Sequence, residues 1–401
     1  MSAREIHVVI VGVSVAGIKV AKTLATFSKS GGYPNLRITL IDRNAYHYHA
    51  LGAPRSIVDK EFGKKLIFPL STLLTSHEVD PYSPKHQFIQ GELTSVTANT
   101  VLLSDGQTVS FDYLVLATGS RNKLPANLRS QSIAEAQEEA ARMFDNIAQA
   151  QSILIVGGGA VGVEMAGEIG HAYPSKTVTL VHSAGRLLPL NFKPALSDGV
   201  VSKLKRVGVT VYLNEKVSIP TGTTFDCSIR PLTLYGASGR EYTSDLQILA
   251  TGTQLHTEYM ETLESALGTS LRDSRGGIKV NGYLQLDSPK FTNIFVPGDV
   301  NNLPAGAKFA LKAAEQGASV AQNLIALIKA PETGRPAVLK PWDGSLMSMI
   351  LVPIGRNLGV FQGMGMTLGH SWWGDVMARN MKGKDYFLGQ KEKDFPIRKT
   401  F

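Results

Sequence analysis

A single cysteine, Cys227, stands in 401 residues. An internal disulfide and a redox-active cysteine pair are therefore excluded, and a reducing setting is expected. No pair of residues has metal-ligand spacing, so no metal site is expected. Long apolar runs are also missing, and nothing in the chain is long enough to span a bilayer as a helix. Met1–Ile6 runs straight into the apolar Val8-Val9-Ile10-Val11 and is expected to carry no secretory signal, while Ser2 in place of glycine removes an N-myristoylation acceptor. Charged residues are scarce at 18% against 43% hydrophobic, the balance of an ordinary globular enzyme. The expected location is cytoplasmic, either free or peripheral on a membrane. The net charge of +8 suits phosphate-bearing ligands, anionic lipid or nucleic acid.

What is present is a repeated supersecondary pattern. Ile6–Val11 reads as a strand, Gly17–Phe27 as a helix and Arg37–Asp42 as a second strand, one βαβ unit with a Gly- and Pro-rich crossover at Ser28–Asn35. The pattern returns after a helix over 132–150: strand Ile153–Val156, a helix to about His171, then strand Thr177–His182. Tyr113–Ala117 and the stretch before Ala250 end in matching Ala-Thr-Gly turns, Thr118-Gly119 and Thr251-Gly252. Such an internal duplication dictates the architecture. Residues 209–245 are punctuated by Pro220, Gly222, Pro231, Gly236 and Gly239 and read as a small antiparallel meander. The chain then returns to the first unit with a strand at Ile294–Val296 and a helix from Lys308 to Lys329, and Pro331, Pro336 and Pro341 make a linker to a last module.

Each strand-to-helix junction carries a Gly-rich turn. In Gly12-Val13-Ser14-Val15-Ala16-Gly17 the first glycine allows the tight reversal and the last allows close helix–strand packing. The middle position lets backbone approach a pyrophosphate resting on the helix N-terminus. Ser14 occupies that middle position and can donate its hydroxyl to phosphate. Asp42 stands where a carboxylate would hold a ribose hydroxyl. The second turn, Gly157-Gly158-Gly159-Ala160-Val161-Gly162, keeps Gly157, Gly159 and Gly162. At the end of its second strand, His182 replaces the carboxylate that would repel a 2′-phosphate, with Arg186 four residues on, so NADPH is expected to be accepted beside NADH.

A third signature, Asn293-Ile294-Phe295-Val296-Pro297-Gly298-Asp299, delivers a carboxylate at a strand end beside a glycine. With the two turns it resembles the glutathione-reductase-like flavoprotein superfamily. The resemblance implies FAD with its ADP half on the first cradle and its ribityl chain on Asp299. It also implies an α/β fold of two Rossmann-like FAD- and NAD(P)-binding domains with a small C-terminal α+β domain. The expected divisions are 1–124 with 253–330, 125–252, and 331–401. Leu311 and Glu315 stand where the bacterial-type NADH:quinone dehydrogenases carry a glutamine pair, which argues against that branch.

Four further stretches, Tyr46–Arg55, Phe62-Gly63-Lys64-Lys65, Gly355–Val360 and Lys382–Phe387, resemble the apoptosis-inducing-factor-like oxidoreductases of the ferroptosis-suppressor subfamily. That resemblance implies that Arg55 contacts FAD and that the backbone at Leu93 touches the adenosine. Glu164 would face nicotinamide and flavin, and Lys382 and Phe387 would lie near the isoalloxazine or the acceptor. It implies an NAD(P)H oxidoreductase passing electrons to a quinone-type acceptor, of the ubiquinone or vitamin K class, in a pocket for which Phe309, Trp342, Tyr386 and Phe387 are candidates. Two alternatives stay open: a redox or cell-death factor whose basic surface binds nucleic acid, and a reductase for a protein or small soluble acceptor. Residues 376–401 hold seven basic against three acidic side chains, with aromatics interleaved, and weak binding to an anionic membrane surface is expected. The protein is expected to be a monomer or homodimer.

Overall fold

The computed structural model of the protein describes residues 4–75, 85–304, 306, 308–344 and 349–380. In chain order its main elements begin with β1 (Ile6–Val11), α1 (Val15–Lys29), β2 (Leu36–Asp42), β3 (His86–Gln90) and β4 (Tyr113–Leu116). There follow α2 (Ile133–Gln149), β5 (Ser152–Val156), α3 (Ala160–Ala172), β6 (Thr177–Val181), α4 (Pro194–Arg206), β7 (Val209–Tyr212) and β8 (Leu246–Leu249). The chain continues with β9 (Ile294–Phe295), α5 (Ala310–Thr333), β10 (Ile350–Ile354), β11 (Leu358–Gly363), β12 (Met366–Leu368) and α6 (Trp372–Ala378).

Two all-parallel sheets dominate. The first runs β9-β4-β1-β2-β3 and the second β7-β6-β5-β8. Every residue of β1 is buried, because both faces of the sheet are covered, Val8 and Ile10 by α1 and α5 and Val9 and Val11 by a small antiparallel layer that brings Val96, Val101, Leu103 and Val109. Helix α1 turns Ala16, Ile18, Val20, Ala21, Leu24 and Ala25 onto this sheet and onto α5, in a core shared with Val320, Leu324 and Ile328. At the α1–α5 crossing the chains approach so closely that a Cβ on Gly317 would sit 2.6 Å from the Ala16 carbonyl oxygen. The first sheet is thus assembled from two separate stretches of chain, while the second is one unbroken run from Ser152 to Leu249.

Two expectations are corrected. Val209–Tyr212 is no part of an antiparallel meander: it extends the parallel sheet beside β6, delivered there by α4. That helix starts with Pro194 at its first turn, where proline has no hydrogen bond to lose and its φ is already helical. Within 209–245 the antiparallel pairing is the hairpin Leu232–Tyr235 with Glu241–Ser244, joined by a single bridge between Val217 and Gly236. Pro331 is not in a linker but inside the last turn of α5, which ends on Gly334 in the left-handed conformation.

The C-terminal stretch forms an antiparallel sheet β10-β11-β12 with α6 across it. Its strands share a core with α3 and α4. The approach is backbone-close: a Cβ on Gly199 would meet the Gly369 carbonyl carbon at 2.4 Å, and one on Gly167 would meet Ile354 Cα at 2.8 Å. The buried Lys203 of α4 fastens this packing, its ammonium donating to the Gly359 carbonyl at 2.8 Å and to the Asp375 carboxylate. Burying a lysine is tolerable only with such partners.

Candidate cofactor sites

The two Gly-rich turns repeat each other in their backbone contacts. Gly12 N–H donates to the Ile41 carbonyl at 2.8 Å and Gly157 N–H to the Val181 carbonyl at 2.8 Å. Ala117 N–H donates to Val11 and Ala250 N–H to Val156. Gly12 has φ +93° and Gly157 φ +116°, and a Cβ on either would lie 2.3 Å from the carbonyl oxygen of Ala117 or Ala250 respectively. The last glycines, Gly17 and Gly162, have room for a hydrogen only, since a Cβ would sit 2.0 Å from the Gly12 or Gly157 carbonyl oxygen. These contacts give the chemical reason for glycine at four of the six positions.

The second residue of each turn is held by the strand that follows the helix. Asp42 accepts from Val13 N–H at 2.8 Å with one oxygen and from Asn44 N–H at 2.9 Å with the other. Burial raises the Asp42 carboxyl above its ordinary range despite these two bonds. At the matching place His182 Nδ1 accepts from Gly158 N–H at 3.0 Å.

A cavity of about 570 Å³ opens above the first turn. It collects Gly12, Val13, Ser14, Val15, Ala16, Asp42, Leu93, Thr118, Gly119, Gly298 and Asp299, with Gly17 packed behind the turn. Asp299 is oriented by Ser120, whose hydroxyl donates to Oδ2 at 2.9 Å, and the Lys308 ammonium donates to the Asp299 carbonyl at 2.7 Å. Thr118 is bonded to the Tyr259 hydroxyl at 2.8 Å, and Gly298 N–H is taken by Gln316 Oε1 at 2.7 Å. Sequence reasoning did not single out Ser120, Tyr259, Lys308 or Gln316. Ser120 had a signal, as the residue after the Thr-Gly turn; the others act across 9 to 141 residues and had none.

The second turn unites Gly157, Gly159, Gly162 and His182, with the half-buried Arg186 on the loop beyond and Thr251-Gly252 at the end of β8. Thr251 accepts from Lys123 at 3.3 Å. Arg55 is not in the cavity wall: it is buried, lies over the Phe62 ring and pairs with Glu168 Oε1 at 3.2 Å. Glu168 is one turn from Glu164 on α3, and both are buried. Burial raises the Glu168 carboxyl, the Glu164 charge adds to that, and Arg55 opposes it. Phe309 packs edge-on to Phe192, while Trp342 joins the α1–α5 core, so these two aromatics belong to different clusters. Lys382, Tyr386 and Phe387 lie outside the described residues.

Both turns suit a dinucleotide. Ser14 makes no capping bond to α1, and Gly159 has no side chain with which to cap α3, which leaves N-terminal N–H groups for phosphate oxygens. A Cβ on Gly159, Gly119 or Gly252 would have nothing within 4 Å, so the space above these residues is open to a ligand. The cavity, ending on an oriented carboxylate at Asp299, fits FAD. Asp299→Ala is expected to leave purified protein with well under half the flavin of wild type by absorbance at 450 nm. Full occupancy would remove Asp299 from the binding set.

Comparisons with known proteins agree with this geometry. A pattern describing the pyridine nucleotide-disulphide oxidoreductases matches residues 6–321. Ferroptosis suppressor protein 1 of Homo sapiens is 30% identical over 392 residues, covering 97% of this chain and 95% of that protein. Apoptosis-inducing factor homolog A of Dictyostelium discoideum is 31% identical over 314 residues, covering 74% and 71%. Among solved structures, the sulfide:quinone oxidoreductase of Aquifex aeolicus has a similar fold, with TM-score 0.69 at 17% identity over 98% of this chain and 93% of that one. The water-forming NADH oxidase of Lactobacillus brevis bound to NADH gives TM-score 0.64 at 20% identity, covering 90% and 75%.

Proposed function

Because the chain belongs to the pyridine nucleotide-disulphide oxidoreductase family, alongside ferroptosis suppressor protein 1 and the apoptosis-inducing-factor homologues, and is an FAD-dependent NAD(P)H oxidoreductase, we propose that its electron acceptor is a quinone. Bound FAD supplies the capacity to take a hydride from NAD(P)H and release electrons to an acceptor. The residues of this chain supply placement. The Gly12–Gly17 turn and the α1 N-terminus hold the pyrophosphate of FAD, and Asp299 takes a ribityl hydroxyl. The Gly157–Gly162 turn holds the pyrophosphate of NAD(P)H, and Glu164 orients the nicotinamide. Lys382 and Phe387 serve the acceptor end.

One observation carries the choice of acceptor. Cys227 is buried in the core around α3, and burial pushes its thiol up to about 12. No second cysteine exists, so electrons cannot leave through a thiol relay and the acceptor must meet the flavin itself. A flat, apolar two-electron acceptor suits that demand. Steady-state turnover with NADH against short-tailed ubiquinone, menadione, ferricyanide and oxygen tests the proposal. Saturable quinone reduction with the highest kcat/KM is expected; quinone rates no better than oxygen alone would refute it.

The same proposal places the enzyme at a membrane surface. Among the described residues no helix is long and apolar enough to span a bilayer. Trp372 and Trp373 stack at 4.2 Å on α6 and are 61% and 54% exposed. They stand three and four residues before the basic stretch 376–401, whose residues beyond 380 lie outside the described ones. Aromatics at head-group depth beside lysines attracted to anionic lipid support salt-sensitive docking. Flotation with phosphatidylserine vesicles is expected at low salt, lost at high salt, and abolished by deleting 376–401. Equal flotation of both forms would remove the tail from that role.

A further inference from the structure

We infer that His182 is a positioning residue of the nicotinamide-nucleotide cradle, holding the Gly158 peptide only while its imidazole is neutral, so that NAD(P)H binding weakens on acidification while FAD retention does not. The inference rests on the assignment of the second turn to NAD(P)H.

The internal duplication carries the argument. In the first turn the second residue's N–H goes to an anionic acceptor, Asp42 Oδ2, at 2.8 Å. In the second turn the corresponding N–H goes to a ring nitrogen, His182 Nδ1, at 3.0 Å. A backbone amide can only donate, so Nδ1 must be bare and the ring proton must sit on Nε2. Protonation places a hydrogen on Nδ1 and sets two donors against each other. The side chain therefore does not project to the ribose as a free cation: it is turned back to brace the loop. Gly158 is small for the same reason, since a Cβ there would lie 2.7 Å from His182 Cγ and 2.4 Å from a Leu187 methyl. The strand end beneath is fixed as well, His182 N–H donating to the Tyr212 carbonyl and the His182 carbonyl accepting from Glu215 N–H.

The charged side chains on the neighbouring elements are Arg186, on the loop after β6, and Glu215, after β7. The Glu215 carboxylate is turned onto Ser238, accepting from its N–H and its hydroxyl, and offers no counter-charge to an imidazolium. Burial lowers the His182 pKa from its ordinary value of 6.5, against the raising effect of a bond to the Arg186 backbone. The sign follows: the bracing bond is complete at pH 7.5 and is lost as pH falls through a value below 6.5. A neutral acceptor also explains how this turn is braced without the carboxylate that would repel a 2′-phosphate.

The test is calorimetric titration of the FAD-loaded protein with NAD+ between pH 5.0 and 8.5. NAD+ avoids electron transfer and lacks the 2′-phosphate that titrates in the same window. In wild type the Kd is expected to be flat above neutrality and to rise by up to about tenfold per pH unit below the His182 pKa, with the 450 nm flavin absorbance unchanged. H182N keeps an acceptor oxygen at the place of Nδ1 and cannot titrate: its Kd should match wild type within about threefold at pH 7.5 and stay flat in acid. H182A, lacking the acceptor, should bind about fivefold or more weakly at every pH. A wild-type profile parallel to that of H182N, or tighter binding in acid, overturns the inference while leaving the cradle assigned. Absence of NAD+ binding in all three proteins at all pH values overturns the assignment and the inference together.

Discussion

Replacing Gly157 by alanine should yield a yellow protein with a full complement of FAD that NAD(P)H no longer reduces at an appreciable rate. Two independent facts make this change severe. Gly157 has φ +116°, a conformation L side chains rarely adopt, and the new methyl carbon would lie 2.3 Å from the Ala250 carbonyl oxygen, against the backbone of Ala250 and Thr251. Neither partner relaxes without moving β5 against β8, since Ala250 N–H is itself bonded to Val156. The turn must then shift by an ångström or so, and a displacement of that size costs about 100-fold in a reaction governed by placement. Stopped-flow reduction by NADH at 450 nm reads the loss directly. Gly252→Ala is the control: its φ is also positive, at +87°, but a Cβ there meets nothing within 4 Å, so it should cost far less. Gly12→Ala should fail in the opposite sense and lose the flavin itself. Equal damage to FAD content by Gly12→Ala and Gly157→Ala would mean that the two turns do not serve separate cofactors.

Removal of the Arg55 guanidinium should destabilise the protein by about 3–5 kcal/mol, because it leaves Glu168 buried without its counter-charge. The side chains of Arg55 and Glu168 are 9% and 3% exposed, so water cannot substitute for the lost partner. Glu164 aggravates the effect, since its charge already raises the Glu168 carboxyl alongside burial. The pH dependence has a definite sign. An acid whose pKa is higher folded than unfolded binds more protons in the native state, so its cost is present at high pH and relieved as pH falls through the folded value. The deficit of Arg55→Ala in thermal or urea unfolding should therefore be larger at pH 8 than at pH 5.5. The double change Arg55→Met, Glu168→Leu should recover most of it. If Arg55→Ala instead unfolds like wild type in the apo form and loses only FAD affinity, the guanidinium acts on the flavin and the ion pair is incidental.

The two turns were legible because glycine at those positions answers a steric demand that no other residue meets, and the demand recurs with the same flanks. Asp299 was legible for a related reason, a carboxylate at a strand end beside a glycine. Asp42 and His182 were found at the right places with an incomplete role. Asp42 was read as reaching outward to a ribose and His182 as replacing a carboxylate that would do so; each also gives an acceptor inward to its own turn, a bond that has no trace in spacing. Glu168 was missed because a second glutamate on an apolar helix reads as solvated until its partner, 113 residues earlier, is known. Strand β7 was misread because the prolines and glycines from Pro220 onward were taken to punctuate all of 209–245, and Pro331 was counted as a break although it sits in the closing turn of α5; helix α4, opened by Pro194, was not anticipated at all.

The division of the first sheet between distant stretches of chain bears on the order of events during synthesis. A nascent chain halted before Ile294 has β1, β2 and β4 but no β9 to pair with Leu114, no Asp299, and no α5 to cover the apolar face of α1. The unbroken run from Ser152 to Leu249 has by then left the ribosome with every strand of its own sheet. The second sheet can therefore close, with α3 and α4 still awaiting β10–β12, while the older N-terminal half waits for its last strand and for the helix that covers α1, and both uncovered faces invite chaperones or aggregation. Flavin uptake becomes one of the last steps of biogenesis, and flavin shortage would leave an enzyme competent to bind its reductant and unable to use it.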